Sequence, residues 1–249
     1  MMNKILIGKN IVCNNDSVRI KDDVITFDKA GEYVIEYTVS VNKRIVFDIY
    51  NDVVLIESSF DNELVLDNDY IINRGMVSVI KFYNNEKVTE RININLCSNE
   101  SKLDYKFANI CKGIENYEIN INHKCMNTVS NIDNKSVALK NSKLNFVINS
   151  NVSRIANKSV INQSTRIVTM GECDAKIEPN MFIDLDDISA KHGSIIGTFR
   201  EEDIFYLMSR GISYNDSLKL LVKGYLFANI GGYFDLRQRV LNIINKYWR

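Results

Sequence analysis

The chain has 249 residues but only one proline, Pro179, and two histidines, His123 and His192. With so few imidazoles, ordinary general-base catalysis has few candidates, and no Ser-His-Asp arrangement can be argued. The five cysteines (Cys13, Cys97, Cys111, Cys125 and Cys173) contain no CxxC pair, which speaks against a closed zinc site or a self-contained cluster. Their wide spacing fits free thiols in a reducing compartment, most of them acting as small apolar side chains. There is no excess of either charge, with 31 basic and 31 acidic residues. Nucleic-acid binders show a basic excess or stripe, and neither is present. No apolar run approaches the roughly 20 residues a bilayer span needs. The start, MMNKILIGKNIVCNNDS, is too briefly apolar for a secretory signal. These absences predict a cytoplasmic protein with neither a nucleic acid nor a membrane as partner. A phosphate loop of the G-x-x-x-x-G-K type is also missing, so ATP hydrolysis would have to come from another chain.

What is present is strand-like. Asparagine, isoleucine and lysine are abundant, and Val24 to Phe27, Tyr33 to Val39, Arg44 to Tyr50, Val53 to Ile56, Glu63 to Leu66 and Val77 to Phe82 alternate or cluster β-branched and aromatic residues. Further along come Ile92–Leu96, Tyr117–Ile121, Leu144–Ile148, Arg166–Met170 and Met181–Leu185. Their starts lie roughly 15–27 residues apart, the range expected of solenoid coils. Asparagines recur around them, where amides can stack in ladders. A β-solenoid is expected, with a β-sandwich as its competitor.

After residue 197 the period becomes helical. Thr198-Phe-Arg-Glu201 reads as a capping box, followed by an apolar face of Ile204, Leu207 and Met208 and a stop at Gly211. Ser213 to Asp216 starts a second helix, with Leu218, Leu221, Val222 and Tyr225 inward, and Gly231-Gly232 ends it. Asp235 opens a third, striped by Leu236, Val240, Ile243, Ile244 and Tyr247. Three such helices predict a cap over the open solenoid end, whose free strand edges need cover. The domains expected are an N-terminal β region at 1–60, a core at 61–197 and a helical subdomain at 198–249.

The stretch EPNMFIDLDDISAKHGSIIGTFREEDIFYLMSRGIS, Glu178 to Ser213, joins an extended run to a histidine between lysine and glycine, then a glycine-bounded turn, then a helix ending Ser-Arg-Gly-Ile. It closely resembles the C-terminal signature of the SufB/SufD family of iron–sulfur cluster scaffolds. His-Gly-Ser-Ile-Ile-Gly with Phe-Tyr-Leu-Met-Ser-Arg-Gly-Ile is similar to the SufD branch. The strong match covers about residues 160 to 230, beginning near Ile161-Asn162-Gln163. Residues 90 to 160 agree in character and the first 90 weakly. The longer N-terminal section and the SufB-type N-terminal cysteine motif of the family are not matched. The resemblance implies a right-handed parallel β-helix core with the three-helix cap. It also implies a non-catalytic scaffold that carries a transient iron–sulfur cluster at a subunit interface. The implied partners are a SufC-type ABC ATPase, and a SufB-type scaffold or a second copy of this chain in a homodimer.

On that resemblance His192 falls on the signature histidine implicated in cluster assembly, and imidazole is a good iron ligand. Cys173, six residues before Pro179, stands where SufB chains carry a functional cysteine and SufD chains usually do not. Its distance from His192 is close to one coil. The two are therefore expected on neighbouring rungs, about 4.8 Å apart, where thiolate and imidazole could share one metal. Glu172, Glu178, Asp184, Asp186 and Asp187 surround the region, solvating a strand edge or steering metal. His123 and Cys125 share a strand face, but two ligands make a weak site. Tyr206, Arg210, Leu221, Tyr225 and Phe227 are the residues expected to dock the ATPase. The alternatives are a β-solenoid carbohydrate-binding module or enzyme, and a purely structural SufD-like protein without metal.

Overall fold

A computed structural model describes residues 3–248. Seventeen strands precede three helices. The first strands are β1 (Asn3–Ile7), β2 (Ile11–Cys13), β3 (Arg19–Lys21), β4 (Val24–Phe27), β5 (Gly31–Tyr37) and β6 (Val41–Ile49). The middle holds β7 (Val53–Phe60), β8 (Glu63–Ile72), β9 (Met76–Asn84), β10 (Lys87–Leu96), β11 (Lys102–Cys111) and β12 (Ile114–His123). Then come β13 (Val129–Leu139), β14 (Lys143–Val152), β15 (Val160–Met170), β16 (Asp174–Phe182), β17 (Ser189–Gly197), α1 (Glu201–Ser209), α2 (Tyr214–Ile230) and α3 (Phe234–Tyr247).

From β5 onward each coil gives one strand to each of two facing sheets. The first sheet runs β17-β15-β13-β11-β9-β7-β5-β1-β2, the second β16-β14-β12-β10-β8-β6-β4-β3. All pairs are parallel and in register except the hairpin pairs β1–β2 and β3–β4, which are antiparallel and close the N-terminal end. This is the solenoid expected from the sequence. Coils lengthen along the chain. Paired residues are 22 apart at Gly31 and Val53 and 31 apart at Val129 and Val160. The boundary expected at 60/61 falls in the turn between β7 and β8, and both sheets run through it without a break.

Two-residue periodicity explains the layering. Ile92, Ile94 and Leu96, then Tyr117, Ile119 and Ile121, then Leu144, Phe146 and Ile148 all point inward and are buried. The residues between them face out. Asn93, Asn120, Asn149 and Asn180 form a ladder on the second sheet, each amide donating to the previous coil at 2.8–3.1 Å, down to Asp69. The asparagines thus lie within the strands rather than outside them. Corners stack just as closely: a Cβ on Gly113 would meet the carbonyl oxygen of Glu86 at 1.9 Å, so only glycine fits.

The helices form as expected, but not where expected. They lie along the outer face of the first sheet rather than over the open end. Ile56, Phe82, Ala108, Ile110, Val137 and Val168 project outward and meet Val222, Leu226, Ile230, Leu236, Val240 and Ile244. The buried Asn229 amide donates to the carbonyls of Phe107 (3.1 Å) and Asp133 (2.8 Å). An outward apolar stripe on a sheet needs cover along its length, and this outweighs the need of the end. Ser213 caps α2 by accepting from the Asp216 amide, and Gly231 ends it at φ 68°. The Thr198 capping box does not form. Arg200 is the N-cap of α1, and its guanidinium pairs with Asp203 instead.

Candidate functional site

The C-terminal end of the solenoid is open. Among the described residues β17 pairs only with β15, and β16 only with β14. Sequence reasoning placed a turn after His192 and a strand at Met181–Leu185. Instead Ser189–Gly197 is one strand, and β16 ends at Phe182. The two glycines and the exposed, uneven composition of β17 hide its strand character, which comes from pairing along β15.

His192 stacks over Gln163, in the inward-facing row that also holds Ala190 over Ile161 and Ile196 over Ile167. With no coil beyond it, the imidazole is exposed. Beneath it, buried Gln163 donates to the Ser150 hydroxyl (2.6 Å) and to the Asn180 carbonyl (3.4 Å), so His192 stands opposite the far half of β16. Cys173 lies in the turn before β16, half-buried against the main core. Burial, with Asp174 beside it, raises its thiol pKa, so it rests protonated and metal binding must displace a proton.

These two residues are not on neighbouring rungs. From Gln163, under His192, β15 runs on to Met170 before the turn that holds Cys173. At about 3.3 Å per residue this puts them about 20 Å apart. One ion cannot touch both in a single chain. The counting failed because the last coil is 29 residues long, from Val160 to its partner Ser189, whereas Cys173 and His192 are only 19 apart and so lie on different sides of the coil. The acidic residues do not converge either. Asp184 pairs with Arg154 at 3.1 Å, and Glu178 with Lys176. Among the described residues no three metal-ligating side chains cluster.

His123 is a core residue. Its ring nitrogens lie 2.7 Å from the Thr128 hydroxyl and 2.8 Å from the Ser130 hydroxyl, so neither is open to metal. Burial pushes its pKa down to about 4. The unfolded chain therefore takes up this proton first, and stability from this group is lost as pH falls from about 6.5 toward 4, by at most about 3 kcal/mol. Urea unfolding of His123→Gln is expected to show a flatter pH dependence in that window than the parent protein; equal slopes would refute it.

Of the residues expected to dock a partner, Tyr206 and Arg210 are exposed and stacked on each other, with the guanidinium 5.3 Å from the ring. Leu221, Tyr225 and Phe227 instead help seat the helices. Tyr225 donates its hydroxyl proton to the Arg166 carbonyl at 2.5 Å. Helix α1 has no buried residue, and Phe205, Tyr206 and Met208 are exposed on it.

Sequence reasoning missed the charged interior. Glu57, Lys81 and Glu90 are all fully or almost fully buried between the sheets. Lys81 Nζ lies 2.7 Å from Glu90 and 3.4 Å from Glu57. Tyr70 donates to Glu57 at 2.6 Å and Asn68 to Glu90 at 2.7 Å. Further along, buried Glu115 accepts from Asn109 (2.5 Å) and Tyr117 (2.7 Å), and burial raises its pKa to about 8. Parity was the available signal. Each charge sits two residues after an inward aliphatic: Leu55, Val79 and Val88.

Residues 71–225 match the family described as SUF system FeS cluster assembly, SufBD core domain. The chain is 39% identical over 59 residues to the iron–sulfur cluster assembly protein SufD of Escherichia coli, covering 24% of this chain and 13% of that one. It is 29% identical over 106 residues to SufB of Bacillus subtilis, covering 42% and 23%. Against protein ABCI7, chloroplastic, of Arabidopsis thaliana the figures are 26% over 141 residues, 56% and 27%. The chain thus spans about a quarter or less of the length of these relatives. No helix among the described residues is long and apolar enough to cross a membrane.

Proposed function

Because the chain belongs to the SufB/SufD core family of iron–sulfur cluster assembly proteins, we propose that it is a SufD-like scaffold subunit whose open solenoid end pairs with a SufB-type chain or a second copy of itself. The observation that carries this reading is His192, exposed on an edge strand with free backbone partners along one side. A facing chain can extend both sheets there by strand addition and bring its own thiolate to the imidazole. The cluster is cargo, iron and sulfide held in transit and passed on. Since Cys173 lies about 20 Å from His192 along the strands, it would serve a separate contact with the partner rather than the same iron.

In this reading a SufC-type ABC ATPase docks on α1, through Phe205, Tyr206 and Arg210, and the chain itself is not an enzyme. Removing everything from Thr198 onward is a poor test of docking, because it would strip the cover from Ile56, Phe82, Ile110, Val137 and Val168. The paired change Phe205→Asp and Tyr206→Asp leaves that seam intact. It is expected to abolish co-purification with the ATPase while the circular dichroism spectrum is unchanged; retained binding would move the docking surface elsewhere.

Anaerobic reconstitution tests the site. A complex carrying His192→Ala is expected to lose most of its iron-dependent absorbance, and an unchanged yield would remove His192 from the mechanism. Full activity with both His192 and Cys173 replaced would favour the purely structural alternative.

A further inference from the structure

The buried cluster at Lys81 gathers an amine and a carboxamide around one carboxyl group. Lys81 comes from β9 in the first sheet, and Asn68 and Glu90 come from β8 and β10 in the second. None is more than 1% exposed. One oxygen, Glu90 Oε1, lies 2.7 Å from Lys81 Nζ and also 2.7 Å from Asn68 Nδ2. The Lys81 nitrogen is ringed by Tyr70, Tyr83 and Tyr105, with ring centres 5.3–5.9 Å away. Asn68 Oδ1 and Glu90 Oε2 have no hydrogen-bond partner. An ion pair alone would not need the amide, nor leave its oxygen bare.

We propose that Lys81 and Asn68 condense into an isopeptide bond across the solenoid interior, with Glu90 carrying the protons. Burial pulls the proton affinity of Lys81 down, but Glu57 and Glu90 together raise it above the ordinary lysine value, so the resting form is the ammonium. Its proton first passes to Glu90, whose own pKa is raised by burial despite Lys81. The neutral amine then attacks Cγ of Asn68. The Nζ–Cγ bond forms as negative charge gathers on Oδ1. Glu90 passes the proton it holds to Nδ2, the Cγ–Nδ2 bond breaks, and Glu90 then takes the second proton from Nζ. Amine and carboxamide become a secondary amide, and nitrogen leaves as ammonia with the proton lysine first held. No oxidant or other reactant is needed. Held on one carboxyl oxygen and dry, the two groups have a high effective concentration, and escape of ammonia makes the step one-way. Glu57, 3.4 Å from Nζ, is the second acidic group beside the amine before reaction.

Intact mass spectrometry of the folded protein is decisive. The expected mass is lower than the sequence mass by one ammonia, with a digest yielding one branched peptide that joins Lys81 to Asn68. Lys81→Arg, which keeps the charge, is expected at its full sequence mass. A parent protein at full mass after prolonged incubation would overturn the proposal. So would loss of a water, which would mean an amide to Glu57 or Glu90. Ammonia loss that persists in Lys81→Arg would place the chemistry at another residue and overturn it too.

Discussion

Lys81→Met is expected to destabilise the protein by about 3–5 kcal/mol at neutral pH, relative to a parent in which Lys81 is still the free ammonium, because it leaves the buried Glu57 and Glu90 without a cation. Glu57 and Glu90 are both sealed between the sheets, and hydrogen bonds from Tyr70 and Asn68 cannot supply the missing charge. The sign of the pH dependence follows. Burial already makes Glu90 harder to ionise in the folded state than in the unfolded one, and losing Lys81 adds to this, so the folded state holds more protons. Stability of the variant therefore falls as pH rises above about 4.5, the range of an unperturbed glutamate, and its deficit is smaller near pH 5 than at pH 7. Urea midpoints at the two pH values measure this directly. The combination Lys81→Met with Glu57→Gln and Glu90→Gln removes the stranded charge and is expected to recover much of the loss. A single variant as stable as the parent would overturn the reading of Lys81 as the cation that holds the two acidic groups in the core.

Glu115→Gln is expected to do the opposite and stabilise the protein. Burial lifts the Glu115 pKa to about 8 against the hydrogen bonds of Tyr117 and Asn109, so at pH 7 the folded protein carries it as the neutral acid. Glu115 Oε1 and Asn109 Oδ1 are both left without partners, and a proton on the first supplies a donor for the second. Acid and amide then join through two hydrogen bonds. The raised folded pKa means that stability is fully present below about pH 4.5 and is lost as pH rises toward 8. The loss is already about 3 kcal/mol at pH 7. Glutamine keeps both hydrogen bonds and has no proton to lose. Its variant should therefore gain up to that amount at pH 7, gain more at pH 8, and match the parent near pH 4.5. Equal pH slopes for parent and variant would show that Glu115 is ionised and satisfied.

The sequence pattern read best where one rule acted alone. The inward isoleucines of β10 and β12 alternate with outward asparagines, and Ser213 and Gly231 mark the ends of α2 by local chemistry that needs no tertiary context. It read worst where neighbours decide. β13 puts Ser130, Asn134 and Ser136 on its inner face, so polarity conceals the strand, yet Asn134 donates its amide to the Thr165 hydroxyl on the next coil at 3.0 Å. β17 exists because β15 offers it an edge. Thr198 had the spacing of a cap, but Arg200 and Asp203 form a pair that starts the helix later. His192 was singled out by its motif, whereas its distance from Cys173 depended on register, which a linear count cannot supply.

The position of the helices also governs how the molecule comes apart. A stack of coils with only nearest-neighbour contacts can fray from either end, one rung at a time. Here α2 and α3 are packed against residues from Ile56 in β7 to Val168 in β15, so opening any rung in that span also breaks the helix seam. The middle coils should therefore open as one cooperative block. β16 and β17 lie beyond that apolar seam, and amide hydrogen exchange should show them opening at far lower free energy than β9 or β11. The strands that bear His192 can then loosen and re-form against another chain while the rest of the solenoid stays shut.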